Sequence, residues 1–126
     1  MRIVGGAARG RPLRAVPGAG TRPTADRVRQ SLFDALGQRM DGLAVLDLYA
    51  GTGALALEAL SRGAARAVLV ENHARACGVI FHNLSALKYD DRSRVVRAEV
   101  PEALRQLRGE RFDLVFSDPP YALRAA

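Results

Sequence analysis

The chain of 126 residues has one cysteine, two histidines and one lysine, and each scarcity removes a class of protein. A lone Cys77 leaves no internal disulfide framework and fits a reducing compartment. Its place beside Val79 and Ile80 in a helical stretch reads as that of a small core residue. His73 and His82 are scattered, so no cluster has metal-ligand spacing and no metal is expected. No apolar run approaches the ~20 residues that span a bilayer, and no signal-peptide pattern opens the chain. A cytoplasmic protein without membrane contact is the expectation. Lys88 is the single lysine among many arginines, a bias that genome composition explains as well as function does.

Hydrophobic residues make up 48% of the chain, enough for one domain with its own core. The formal net charge is +6, and its distribution says more than its total. Arg2, Arg9, Arg11, Arg14, Arg22, Arg27 and Arg29 face only Asp26 in residues 1–29, while the remainder sums to zero. Such a segment is an electrostatic footprint for a polyanion, with arginine suited to bidentate phosphate contact. A solvated arm charged for solubility is the competing reading.

Arg2 to Val4 and Leu13 to Val16 read as two short strands, joined by a Gly5 to Gly10 loop flexible enough to follow an RNA surface. A helix is expected from Thr24, its N-cap, with Asp26 in the first turn. Val28, Leu32, Ala35 and Leu36 would form its apolar face. Asp26, Arg27 and Arg29 would lie off that face, available to a cofactor or RNA. Four βα-type strands follow, near Ala44 to Tyr49, Ala67 to Glu71, Arg94 to Ala98 and Phe112 to Asp118. Helices are expected near Ala54 to Arg62, Ala74 to Leu87 and Pro101 to Leu107. The middle one buries Ala76, Val79, Ile80, Asn83, Leu84 and Leu87. Pro101 suits a first helical position. This alternation implies a parallel sheet with right-handed crossovers.

Two motifs carry chemistry. In Asp47-Leu48-Tyr49-Ala50-Gly51-Thr52-Gly53-Ala54-Leu55-Ala56, a strand passes through a glycine turn into a helix. Gly51 and Gly53 permit a tight turn and let a ligand approach the backbone. Glu71 ends the next strand 20 residues after Gly51, where a carboxylate can accept both hydroxyls of a ribose. Together these features indicate a nucleoside-containing cofactor. Asp118-Pro119-Pro120-Tyr121, after the apolar run Phe112 to Phe116, is the second motif. Its prolines keep the backbone non-helical with carbonyls free to accept, Asp118 adds an acceptor, and Tyr121 offers a stacking face. That set suits an exocyclic amino group on a nucleobase, although an ordinary strand-to-loop turn also uses prolines.

Asp47 to Ala56, Glu71 and Asp118 to Tyr121 resemble the S-adenosylmethionine-dependent amino-methyltransferases. The run Thr21-Arg22-Pro23-Thr24-Ala25-Asp26-Arg27-Val28-Arg29-Gln30-Ser31-Leu32-Phe33 narrows the resemblance to the RsmD family, which methylates the N2 amino group of a guanine in 16S ribosomal RNA. The resemblance implies an α/β, Rossmann-like class I methyltransferase sheet with a basic N-terminal hairpin and helix. About four parallel strands are present, and the family's further helix and last three strands are not. Residues 1–22 would be an RNA-binding extension and residues 23–126 the S-adenosylmethionine-binding domain, with the fourth strand as an unpaired edge.

The resemblance assigns roles residue by residue. Asp47, Tyr49, Gly51, Gly53, Glu71 and Glu99 would hold S-adenosyl-L-methionine. Glu99 stands where the family more commonly has aspartate, and a helix-capping role competes with one near the adenine. Asp118 and the Pro119 carbonyl would accept the two amino hydrogens while Tyr121 stacks on the base. Arg9, Arg11, Arg14 and Arg22 would contact 16S rRNA, within the small subunit or an assembly intermediate, the protein acting as a monomer. A DNA adenine or cytosine amino-methyltransferase, an inactive RNA-binding fragment and a nicotinamide-dependent oxidoreductase are the other readings. The last has no use for the proline-rich cradle.

Overall fold

Four parallel strands form one sheet in the order β3-β2-β1-β4 in the computed structural model, which describes residues 1–16 and 25–119. The elements are α1 (Ala25–Leu36), β1 (Ala44–Asp47), α2 (Ala54–Ser61), β2 (Arg66–Glu71), α3 (Ala74–Ala86), β3 (Ser93–Arg97), α4 (Val100–Gln106) and β4 (Leu114–Phe116). A single 3-10 turn at Asp90–Arg92 precedes β3. The arrangement is Rossmann-like α/β, as the alternation implies. The chain runs outward from β1 through β2 to β3, then returns to place β4 on the other side of β1. That reversal opens a crevice at the carboxyl ends of the strands. In register, Asp47 sits opposite Leu69 and Phe116, and Glu71 opposite Arg97.

Both sheet faces are covered, which is why the central strands read as almost unbroken apolar runs. Val45, Leu69 and Phe116 face a large cluster with Phe33, Leu57, Leu60, Ile80 and Leu84. Leu46, Val68, Val70 and Val96 face a smaller one with Ala103 and Leu107. The expected burial in α3 is observed at all six positions, Cys77 beside them, and its Sγ donates to the Glu71 carbonyl at 3.4 Å. Among the described residues no helix is long and apolar enough to cross a membrane. β4 is shorter than expected, because only Leu114 to Phe116 pair with β1.

The face of α1 differs from the periodicity reading. Val28 is 61% exposed and Ala35 and Leu36 are exposed too, whereas Phe33 is fully buried and Arg29 is only 4% exposed. Phe33 packs on Phe116, ring centroids 5.8 Å apart, and the Arg62 guanidinium lies over the Phe33 ring at 4.8 Å. Arg29 is therefore not available to a cofactor or RNA. A charged residue was expected in solvent, yet a buried carboxylate waits for it on α2. Thr24 lies outside the described residues.

That carboxylate is Glu58, fully buried. Its Oε1 accepts from Arg29 Nε at 3.2 Å and the Val4 amide at 3.0 Å. Its Oε2 accepts from Arg62 Nε and the Gly5 amide, each at 2.9 Å. Arg29 also reaches Asp26 Oδ1 at 2.8 Å and donates to the Arg2 carbonyl. Ser61 continues the strap, taking the Ala8 amide on its hydroxyl and the Ala7 amide on its carbonyl.

Residues 2–14 are consequently fastened down, not free to follow a partner's surface. The expected pair of strands shrinks to an isolated antiparallel bridge between Arg2 and Pro12, since the next amide, that of Val4, donates to Glu58 instead. Ile3, Ala8 and Leu13 sink into the main core. Gly6 adopts φ 81°, and a Cβ there would lie 2.0 Å from the Ser61 carbonyl oxygen. Glycine serves close approach at this point, and flexibility is not its use.

Removing Glu58 would leave two buried guanidinium groups and two amides without their acceptor. Glu58→Ala is expected to destabilise the protein by about 3–5 kcal/mol. Val28→Ala, on the exposed side of α1, should stay within about 0.5 kcal/mol. Urea unfolding of both variants checks the pair, and a costly Val28→Ala would restore the periodicity-based face.

Candidate active site and cofactor cleft

β1 ends in Asp47, and the chain leaves it through Leu48, Tyr49 and Ala50 into the glycine turn. The Leu48 amide still donates to Phe116 of β4 and the Ala50 amide to Val70 of β2, so the turn is tied to both neighbouring strands. Gly51 at φ 58° and Gly53 at φ 84° take the left-handed backbone that glycine adopts without steric cost. A Cβ on Gly53 would meet Leu69 Cδ2 at 3.1 Å, so the turn also lies close against β2. α2 then starts at Ala54, whose amide donates to Thr52 Oγ1 at 3.3 Å.

Glu71, at the end of β2, binds the turn directly. Its Oε1 accepts the Gly51 amide at 2.9 Å and its Oε2 the His73 amide at 3.0 Å. A carboxylate has about four lone-pair sites, so each oxygen keeps capacity to accept from a ligand. Beside it opens a cleft of about 280 Å³, lined by Leu48, Tyr49, Val70, Glu71, Asn72, Ala98, Glu99, Val100 and Pro101. Tyr49 and Glu71 are half-buried, and Glu99 is exposed. Glu99 occupies the N-cap position of α4, but its side chain makes no capping hydrogen bond. Its carboxylate is thus not committed to the helix end.

Asp47 lies under the turn, 1% exposed, with neither carboxylate oxygen in hydrogen-bond geometry with a donor. Burial pushes its carboxyl up to about 7; the nearby Tyr49 and Ala56 amides oppose this, and the negative charges of Glu71 and Asp118 add to it. Asp118 therefore belongs to the same electrostatic neighbourhood. It is exposed just beyond β4, and Pro119 beside it is half-buried. Tyr121 and Arg22 lie outside the described residues. Arg9, Arg11 and Arg14 are all exposed on the N-terminal segment, and Arg11 Nη2 also donates to the Ala86 carbonyl at 2.9 Å.

The family described as "Conserved hypothetical protein 95" matches residues 1–126. The chain belongs to this family, the RsmD family. It is similar to the Escherichia coli (strain K12) protein named "Ribosomal RNA small subunit methyltransferase D", 43% identical over 121 residues, or 96% of this chain and 60% of that one. The Bacillus subtilis (strain 168) "Putative rRNA methyltransferase YlbH" is 40% identical over 123 residues, covering 96% and 67%. Among solved structures, "Putative methyltransferase yhhF from Escherichia coli" superposes with a TM-score of 0.84 at 43% identity, covering 97% of this chain and 65% of that one. The chain thus spans about two thirds or less of the length of these RsmD-family relatives.

Sequence reasoning missed Glu58, Ser61 and Arg62 as buried polar residues, and it placed Asn83 in the core without its partners. A signal existed for one of them. Glu58 interrupts the otherwise apolar run of α2, and an isolated charge there requires a partner. Asn72, which lines the cleft, was also passed over in favour of its neighbour Glu71.

Asp47 gives this RsmD-family protein a specific pH dependence. Its carboxyl titrates higher folded than unfolded, so unfolding releases a proton between pH 4 and about 7. The contribution of Asp47 to stability therefore falls as pH rises through that window, by about 4 kcal/mol if the full shift is expressed. Asp47→Asn cannot ionise and should lose that component of the slope. Denaturant unfolding of both proteins across pH 4 to 8 checks it, and superimposable profiles would show that Asp47 ionises normally.

Proposed function

We propose that the protein is an S-adenosylmethionine-dependent methyltransferase acting on the exocyclic N2 amino group of a guanine in 16S ribosomal RNA. The observation that carries this reading is the adjacency of β1 and β4 in the sheet. It sets a glycine turn held by Glu71 beside the strand end that leads into Asp118 and Pro119. The names of the relatives, which specify ribosomal RNA, support the substrate class and a cytoplasmic setting. The 16S RNA of the small subunit or its assembly intermediate is the proposed partner, with the protein as a monomer.

The residues present fit this cofactor. Gly51 adds no side chain on the open side of the turn, Gly53 lets the turn lie close against β2, and Glu71 keeps lone pairs for ribose hydroxyls. Tyr49, Asn72, Ala98, Glu99 and Val100 offer apolar and polar walls for an adenine. S-adenosylmethionine, when bound, supplies an electrophilic methyl group on a sulfonium.

The chain's own part is positioning. The lone pair of an aromatic amine is conjugated into its ring and poorly directed for displacement. Asp118 and the Pro119 carbonyl would accept the two amino hydrogens and favour a pyramidal nitrogen, whose lone pair leaves conjugation and points at the sulfonium methyl. No strong base is needed before attack, because the proton leaves as or after the new bond forms. Orientation of this kind can supply roughly 7–11 kcal/mol of a barrier. Tyr121 would stack on the guanine, which must first be unstacked if it lies within a helix.

Incubation with methyl-labelled S-adenosylmethionine, ribosomal RNA, unmodified small subunits and duplex DNA tests the reading. Label is expected on guanine N2 in 16S RNA, and label on DNA adenine or cytosine would overturn it. Asp118→Ala should lower turnover by roughly 100-fold, the scale of losing one preorganised polar group, with little change in cofactor affinity. A parental rate in that variant would remove the cradle from the mechanism. Replacing Arg9, Arg11 and Arg14 together by alanine should flatten the dependence of log affinity on log salt by roughly 0.7–0.9 for each phosphate no longer neutralised. Filter binding across a salt series reads that slope, and an unchanged slope would place the RNA interface elsewhere.

A further inference from the structure

The basic segment and the cofactor turn meet on one side chain. Asn83, on α3, is 1% exposed, and its carboxamide matches the backbone of Arg14 on both sides. Oδ1 accepts the Arg14 amide at 2.8 Å, and Nδ2 donates to the Arg14 carbonyl at 3.1 Å. The second Nδ2 hydrogen goes to the Thr52 carbonyl at 3.0 Å, inside the glycine turn. Amide orientation is determined by this network. A flipped group would aim its oxygen at two carbonyls and its nitrogen at an N–H.

Thr52 stands between Gly51, which Glu71 fastens, and Gly53. The Thr52 carbonyl that Asn83 uses therefore belongs to the same turn that Glu71 fastens through the Gly51 amide. A ligand at Glu71 acts on the first residue of this turn, and the Arg14 backbone lies at the far end of the same hydrogen-bonded path.

We propose that Asn83 is a positioning residue that couples the two sites, so that cofactor bound at the turn and RNA bound at Arg9, Arg11 and Arg14 strengthen each other. This rests on the reading given under Proposed function. A cofactor that steadies the turn steadies the Thr52 carbonyl and with it Asn83, and Asn83 holds Arg14 in register for phosphate contact. Linkage requires the converse, so RNA must tighten cofactor binding by the same factor. Asn83 touches neither ligand in this scheme and acts only through Thr52 and Arg14.

The test is a four-legged binding cycle by calorimetry, with S-adenosylhomocysteine and a 16S RNA fragment, for the parental protein and Asn83→Asp. The aspartate keeps an acceptor for the Arg14 amide but turns an oxygen toward both carbonyls. In the parental protein each ligand should tighten the other by roughly 5-fold or more. In Asn83→Asp the factor should fall toward one while each ligand alone still binds. Hydrogen exchange at the Arg14 amide of the parental protein, which needs no variant, should slow when S-adenosylhomocysteine is added. A factor of one in the parental protein, a factor unchanged in folded Asn83→Asp, or Arg14 exchange indifferent to the cofactor would each overturn the coupling. Failure of the parental protein to bind S-adenosylhomocysteine at all would instead overturn the functional reading on which it rests.

Discussion

The buried carboxylate of Glu58 is the interaction on which most of the remaining structure depends. Two guanidinium groups and two backbone amides converge on it, from α1, from α2 and from the segment that precedes both. Burying a charge is costly unless it is paired and hydrogen-bonded, and here all four donors are in place. Directional bonds of this kind impose one relative placement, which apolar contact alone would leave loose. Arg62 is the junction within the set, because it also lies over Phe33 and so connects the ion cluster to the apolar core. One part of it remains unsatisfied: Nη2 is buried without a hydrogen-bond partner.

Much of the fold was legible in the sequence, and the reasons are physical. Strands covered on both faces are nearly all apolar, and α3 shows its buried positions through plain helical spacing. The glycine turn and Glu71 were legible because their spacing reflects one βαβ crossover, and the structure joins them by a hydrogen bond. What escaped notice were polar side chains whose partners lie far along the chain. Arg29 looks like a solvent-facing residue until Glu58 is placed opposite it, 29 positions later. The face of α1 was misassigned for this reason, since a paired arginine can replace an apolar residue in a buried stripe.

The candidate site divides in the same way. Residues that define a backbone shape, such as Gly51 and Gly53, announce themselves locally. Asp47 also announces itself by position, but its nearly complete burial without a donor was not foreseeable from the motif. Asn83 was read correctly as buried, yet its three hydrogen bonds depend on segments 31 and 69 residues away. No periodicity argument reaches that far.

The strap over the N-terminal segment also has a consequence in time. Glu58, Ser61, Asn83 and Ala86 hold residues that precede them by 53 to 75 positions. At about 5–20 residues per second, synthesis leaves the basic segment without its anchors for roughly 3–15 seconds. Closing loops of that length is slow compared with forming a helix, so this segment docks after α2 and α3 exist. Residues made well before their anchors are therefore placed only after those anchors exist.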